Sequence, residues 1–221
     1  MTNFETLRQR MVDSQIRVND VADHGLIEAF SKTPRELFVP SGQKPFAYGD
    51  RDIPIGAGEN GERFLLSPMV LAKIIQALQI GAASVVLDIG CGSGYSTAIL
   101  AQLAGSVVAV EQEESLVSTA EANLQTLGFD NAAILQGKLV DGLAGEGPFD
   151  AILISGGVEE VPEALKQQLN DRGRLVAVVM SGRTGQARLY ERVASQISER
   201  ALFDASAPIL PGFRKAREFV F

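Results

Sequence analysis

Apolar positions change their period near residue 84. Before it, Phe4, Leu7, Met11, Ser14, Ile16 and Val18 leave a helix-period stripe through a polar opening segment. A second short helix is predicted from Asp23 to Phe30, and SKTPRELFVP reads as a helix end and turn, with prolines at 34 and 40. YGDRDIPIGAGENGERFLLSP, rich in Gly, Pro and charge, predicts a loop of about twenty residues, long enough for a binding lid. Pro68 then suits the first turn of a helix, PMVLAKIIQALQI, expected to close at Gly81.

From residue 84 the pattern becomes strand, turn, helix, repeated. SVVLDIG, SVVAVE, AAILQG, FDAILISG and GRLVAVVM are short, almost unbroken apolar runs. The helix patterns STAILAQLA, ESLVSTAEANLQTLG and VPEALKQQL lie between them, and the stretch from Ala187 onward suggests antiparallel strands. Strands without a polar face, alternating with helices, predict a mostly parallel α/β sheet covered on both faces, with an antiparallel C-terminal edge. Residues 1–80 and 81–221 are expected to form two regions of one compact domain.

Composition narrows the function classes. The 221 residues carry a formal charge of −7, which argues against a sequence-independent grip on nucleic acid. RKAR, Arg214 to Arg217, is one small basic cluster. One cysteine, Cys91, permits no internal disulfide, and one histidine, His24, with no CxxC or HxxxH pair, predicts no metal site. MTNFETLRQRMVDSQI lacks the apolar core of a signal peptide, and no run is long enough to span a bilayer. A soluble, cytoplasmic protein without a membrane partner is expected. The sequence leaves monomer and homodimer open.

Chemistry concentrates in VVLDIGCGSGYSTAIL, Val85 to Leu100. A strand, a glycine turn and a helix place backbone N–H groups at the carboxyl end of the sheet, where open α/β sheets bind ligands. Gly90 and Gly92 fit a dinucleotide fingerprint, but Tyr95 stands where its last glycine belongs, and no lysine follows as in a Walker loop. Glu111 closes the next strand, where a carboxylate can accept both hydroxyls of a ribose. Cys91 is expected to pack in the turn, His24 to sit at a helix end, and Asp150 to tie the sheet edge.

The pattern Asp88-x-Gly90-x-Gly92-x-Gly94, followed by Glu111, resembles the Rossmann-like S-adenosylmethionine-dependent methyltransferases. TPRELFVP, AYGDRDIPIGAGENGERFLLSP, PFDAILISGG and LNDRGRLVAVV add a resemblance to protein-L-isoaspartate O-methyltransferases, in order from about residue 30 to 180. The resemblance implies a Rossmann-like core over 81–221 under an N-terminal helical lid and substrate region over 1–80. It implies S-adenosyl-L-methionine as cofactor, held by Asp88, Gly90, Gly92, Gly94, Glu111, Gln112, Lys138 and Leu139. It further implies a protein or peptide acceptor bearing isoaspartate, met by Tyr48, Asp50, Leu66 and Ser155, with Ser67 as the candidate catalytic residue.

Three departures bear on the acceptor. LLSP stands where the family has ISQP, so Leu66 replaces a serine that the resemblance assigns to the substrate carboxylate. QGKLVDG replaces a GDG stretch, and the ammonium of Lys138 cannot accept a hydrogen bond from an adenine amino group. SGGV replaces TAAA-like residues. Weak or absent isoaspartyl activity is therefore expected. A different acceptor (a small molecule or RNA) and a cofactor-binding protein without that activity are the alternatives.

Overall fold

The computed structural model describes residues 3–58 and 61–215. Seven strands form one sheet: β3 (Val85–Ile89), β4 (Ser106–Glu111), β5 (Ala132–Gln136), β6 (Phe149–Val158), β7 (Leu169–Ser181), β8 (Thr184–Val193) and β9 (Gln196–Asp204). Their spatial order is β5-β4-β3-β6-β7-β8-β9. The pairings from β5 to β7 are parallel, and the two at the β8 and β9 edge are antiparallel. The chain runs outward from β3 to β5 and returns to β6 beside β3. The order reverses at the β3/β6 boundary, which makes the carboxyl ends of these two strands the ligand crevice of such a sheet.

Alternation across the pleat explains the unbroken apolar runs. Val86, Ala151, Leu153, Val176 and Val178 join one buried cluster, while Leu87, Ile89, Ile152, Ile154, Leu175 and Ala177 join another. Neighbouring residues thus serve opposite faces, and both faces are apolar because helices cover both. The helices are α1 (Phe4–Met11), α2 (His24–Lys32), α3 (Pro68–Leu78), α4 (Tyr95–Ala101), α5 (Glu114–Thr126) and the single turn α6 (Glu163–Lys166). Asn3 and Asp23 cap α1 and α2, accepting from the backbone N–H of Thr6 and Leu26 at 3.1 and 3.0 Å. Asp150 ties the sheet as expected, accepting from Val85 N–H at 2.9 Å and from Asn170 Nδ2 at 3.0 Å. Among the described residues no helix is long and apolar enough to cross a membrane.

Four expectations need correction. The first stripe does not continue as one α-helix: Val12–Ile16 widens into a π-helical turn, which buries Val12 and Ile16 and leaves Val18 67% exposed. Helix α3 closes at Gln79 in the left-handed region (φ 54°), two residues before Gly81. The predicted helix VPEALKQQL shrinks to α6, because Leu169 already opens β7. The predicted lid loop contains a hairpin, β1 (Ile53–Gly58) against β2 (Gly61–Leu65), forming a sheet of its own. Of the RKAR cluster, Ala216 and Arg217 lie outside the described residues, while Arg214 and Lys215 pair with Glu159 and Glu160.

Candidate functional site

The turn after β3 brings Gly90, Gly92 and Gly94 to φ angles of 76°, 58° and 93°, the left-handed region that side chains resist. Each glycine has its own neighbour. A Cβ on Gly94 would stand 3.1 Å from Cβ of Ala120, so the third glycine admits α5. A Cβ on Gly92 would stand 2.5 Å from Cδ1 of Ile55, in β1. One on Gly90 would lie 3.0 Å from Cδ1 of Leu210 and 3.2 Å from Nη2 of Arg63. The groups that approach this backbone so closely are the chain's own.

Glu111, at the carboxyl end of β4, is fully buried and accepts five N–H groups. Arg63 donates from Nη1 to Oε1 at 2.8 Å and from Nη2 to Oε2 at 2.9 Å. Backbone N–H groups of Gly92 (2.9 Å), Gln112 (2.8 Å) and Glu113 (3.2 Å) supply the rest. Arg63 Nη2 also donates to the Gly90 carbonyl at 3.1 Å. The guanidinium is 1% exposed, and its Nε is buried with no partner among the described residues. This is a forked, charge-assisted pair between a hairpin and a strand end 48 residues away.

Asp88 is the second fully buried carboxylate. Its Oδ2 accepts from Ser96 Oγ at 2.7 Å and Thr97 Oγ1 at 2.8 Å, and its Oδ1 accepts from Ser155 Oγ at 2.6 Å. Burial pushes its pKa up, and the three hydroxyls pull it part of the way back. Asp88 and Ser155 therefore pin β3, α4 and β6 together, their side chains hydrogen-bonded to each other.

The remaining predicted residues separate. Tyr48 is buried, donates its hydroxyl to Glu36 and packs beside Phe4, so it lies inside the N-terminal region. Leu66 is 4% exposed, and its carbonyl accepts from Arg35 Nη2 at 2.7 Å. Ser67 shares an open groove of about 340 Å³ with Asp50, Arg51, Asp52 and Asp204, and its N–H donates to Asp52 Oδ1 at 2.8 Å. Leu66 and Ser155 line a different space, beside Gly90, of about 10 Å³. Lys138 is exposed, Gln112 half-buried, and Leu139 lies wholly in the core with Leu87, Ile89 and Val110. Leu139 is thus no wall of a cleft. His24 is exposed at the start of α2, and Cys91 is buried with its thiol pushed well up by burial.

Arg63, Ile55 and Leu210 are the site residues that sequence reasoning missed. One signal was present: β2 alternates, and Arg63 shares its inward face with the buried Leu65. A cation on an inward face asks for a buried anion, which Glu111 supplies. Leu210 comes from a strap after β9, fastened by Gly157 N–H to Pro208 O at 2.8 Å and Leu210 N–H to Gly157 O at 2.9 Å. It fills the crevice so closely that a Cβ on Gly156 would stand 2.6 Å from its Cγ.

These side chains decide how the residues fit S-adenosylmethionine. The glycine turn and Glu111 are of the right kind and at the right edge, but the space they enclose is filled. Voids of about 10 Å³ remain, one beside Gly90 and one beside Arg63 and Gly156, against the roughly 300 Å³ or more of a small-molecule site. A larger groove of about 480 Å³ lies between Glu62, Phe64 and the Pro208–Gly212 strap, and neither the glycine turn nor Glu111 lines it. Among the described residues, Arg63, Ile55 and Leu210 occupy the positions over Glu111, Gly92 and Gly90 that the cofactor would need.

Comparison with known proteins places the chain. The family described as protein-L-isoaspartate(D-aspartate) O-methyltransferase matches residues 6–204. A protein-L-isoaspartate O-methyltransferase of Roseiflexus castenholzii is 38% identical over 190 residues, 86% of this chain and 84% of that one. One of Syntrophus aciditrophicus is 41% identical over 179 residues, 81% and 80% of the two chains. Among solved structures, a protein-L-isoaspartate O-methyltransferase superposes with a TM-score of 0.82 at 23% identity, over 93% of this chain and 66% of that chain. A putative Plasmodium falciparum enzyme of the same name, in complex with S-adenosyl-L-homocysteine, gives 0.77 at 21% identity, over 95% and 99%. These structures share the fold. The strand order, the glycine turn and the sequence match over most of the length agree: the chain belongs to the protein-L-isoaspartate(D-aspartate) O-methyltransferase family.

Proposed function

We propose that this chain is a carboxyl methyltransferase that takes its methyl group from S-adenosylmethionine, the donor used by its family, and an isoaspartyl side chain as acceptor. One observation carries the proposal: Glu111 already holds two parallel donors, 2.8 and 2.9 Å away, at the carboxyl end of β4, the strand beside the switch point of a family-matched sheet. Two ribose hydroxyls need that same bidentate geometry. A carboxylate acceptor is ionised at neutral pH and requires no general base. The protein's task is then to align the reacting groups and exclude water, in keeping with a buried, inert Cys91 and an exposed His24.

The acceptor side supports low activity on isoaspartyl peptides. Leu66 offers no hydrogen bond from its side chain, and Ser67 lies in a groove where Asp50, Asp52 and Asp204 outnumber Arg51. An acidic acceptor would meet repulsion there, which favours as second reading a same-fold enzyme with a neutral or cationic acceptor. The test is methyl transfer from labelled S-adenosylmethionine to an isoaspartyl peptide, with the matching aspartyl peptide as control. Transfer to the isoaspartyl peptide alone supports the proposal. Cofactor binding without transfer to it overturns the acceptor and leaves the second reading.

A further inference from the structure

We infer that Arg63 is a built-in occupant of the subsite that Glu111 offers to a ribose, and that the β1–β2 hairpin must withdraw before a cofactor can enter. The inference rests on the function proposed above. Glu111 is saturated: with two guanidinium and three backbone N–H groups on its oxygens, a diol can bind only where Arg63 has left. Ile55 closes the space over Gly92 from the same hairpin, so one movement vacates both positions. Leu210, from the other end of the chain, closes the space over Gly90 and Gly156.

The hairpin is suited to leaving. Among the described residues its strands pair only with each other and add nothing to the seven-stranded sheet. A two-stranded hairpin is marginal on its own and depends on what its side chains bury. Its ladder is irregular between Pro54 and Gly56, beside Ile55. Arg63 is incompletely satisfied where it sits, since Nε is buried with no partner among the described residues. Withdrawal returns that group to water, and ligand hydroxyls take over the carboxylate. By linkage, whatever weakens the Arg63–Glu111 contact strengthens cofactor binding by up to the same factor, for as long as the closed arrangement dominates.

The experiment is calorimetric titration of the full-length wild type, Arg63→Ser and Ile55→Ala with S-adenosylhomocysteine, after thermal unfolding has established that each variant folds. Ile55→Ala keeps the ion pair and guards against loss of Arg63→Ser to misfolding. The expected result is at least tenfold tighter binding by Arg63→Ser than by wild type, with a smaller gain for Ile55→Ala. In the wild type, amide hydrogen exchange over residues 53–58 and 61–65 should rise on addition of ligand, the reverse of the usual protection. Weaker binding by Arg63→Ser would make Arg63 a ligand contact and overturn the inference. So would equal, tight binding by all three proteins, although the proposed function would survive that result. Tighter binding by Arg63→Ser without methyl transfer would uphold the inference and remove the proposed acceptor. No binding by any of the three would overturn both.

Discussion

The crevice has a floor and a roof, each built around a buried carboxylate. Asp88, in the floor, is held by three neutral hydroxyls: two from the helix that directly follows it and one from the adjoining strand. Glu111 meets the roof, where a cation arrives from a hairpin outside the main sheet. The floor's contacts are neutral, short in reach and mutually enforced by the sheet register. The roof's contact is charged and can be exchanged for another pair of donors. A scaffold must persist through a reaction cycle and a cover must not, and the two hydrogen-bonding styles match that division.

The sharpest challenge to this contrast is stability. Asp88→Ala leaves three hydroxyls of the interior unpaired and opens a hole, so it should cost about 3 kcal/mol or more in urea unfolding. Arg63→Ser should cost less than that, and less than the roughly 3–5 kcal/mol usual for breaking a buried ion pair, because Glu111 keeps three backbone donors and water can follow the departing side chain. Equal losses would mean that the roof is as fixed as the floor. Next in size is Glu111→Gln placed in the Arg63→Ser background. It should weaken S-adenosylhomocysteine binding about tenfold in the same titration, by exchanging one charged acceptor for an amide. Unchanged affinity would remove Glu111 from the site.

The smallest effect concerns the groove beside the crevice. Burial lifts the Asp52 carboxyl above its ordinary value, against the opposing pull of the Ser67 N–H and of Arg35. A raised pKa in the folded state means that Asp52 contributes stability below the ordinary carboxylate range, and that this is lost as pH rises through the raised value. Asp52→Asn should therefore gain stability relative to wild type between pH 4 and 7, measured as a difference in unfolding midpoints. A constant difference across that range would show that Asp52 titrates normally.

What the sequence could convey follows from how far each contact reaches. Strands β3, β4 and β6 were legible because an unbroken apolar run has few other destinations. Gly90, Gly92, Gly94 and Glu111 were legible because a turn and a strand end occupy fixed places in such a unit. The hairpin was hidden by its composition: Gly, Pro and charge read as loop, yet Ile53, Ile55, Arg63 and Leu65 alternate onto one buried side. Arg63 gained meaning only from Glu111, and Leu210 only from Gly90 and Gly156, partners that no local pattern names. Asp88 and Ser155 fall at the expected edge, but their mutual hydrogen bond was hidden, since a sequence does not reveal that two polar groups satisfy each other.

The strap that carries Leu210 has a consequence for the order of synthesis. All seven strands are complete by Asp204, whereas the side chain that fills the space over Gly90 and Gly156 arrives six residues later. A chain emerging from the ribosome can thus finish its sheet before that part of the crevice is covered. Its binding edge is for that interval more open than it will be once the strap is fastened to Gly157.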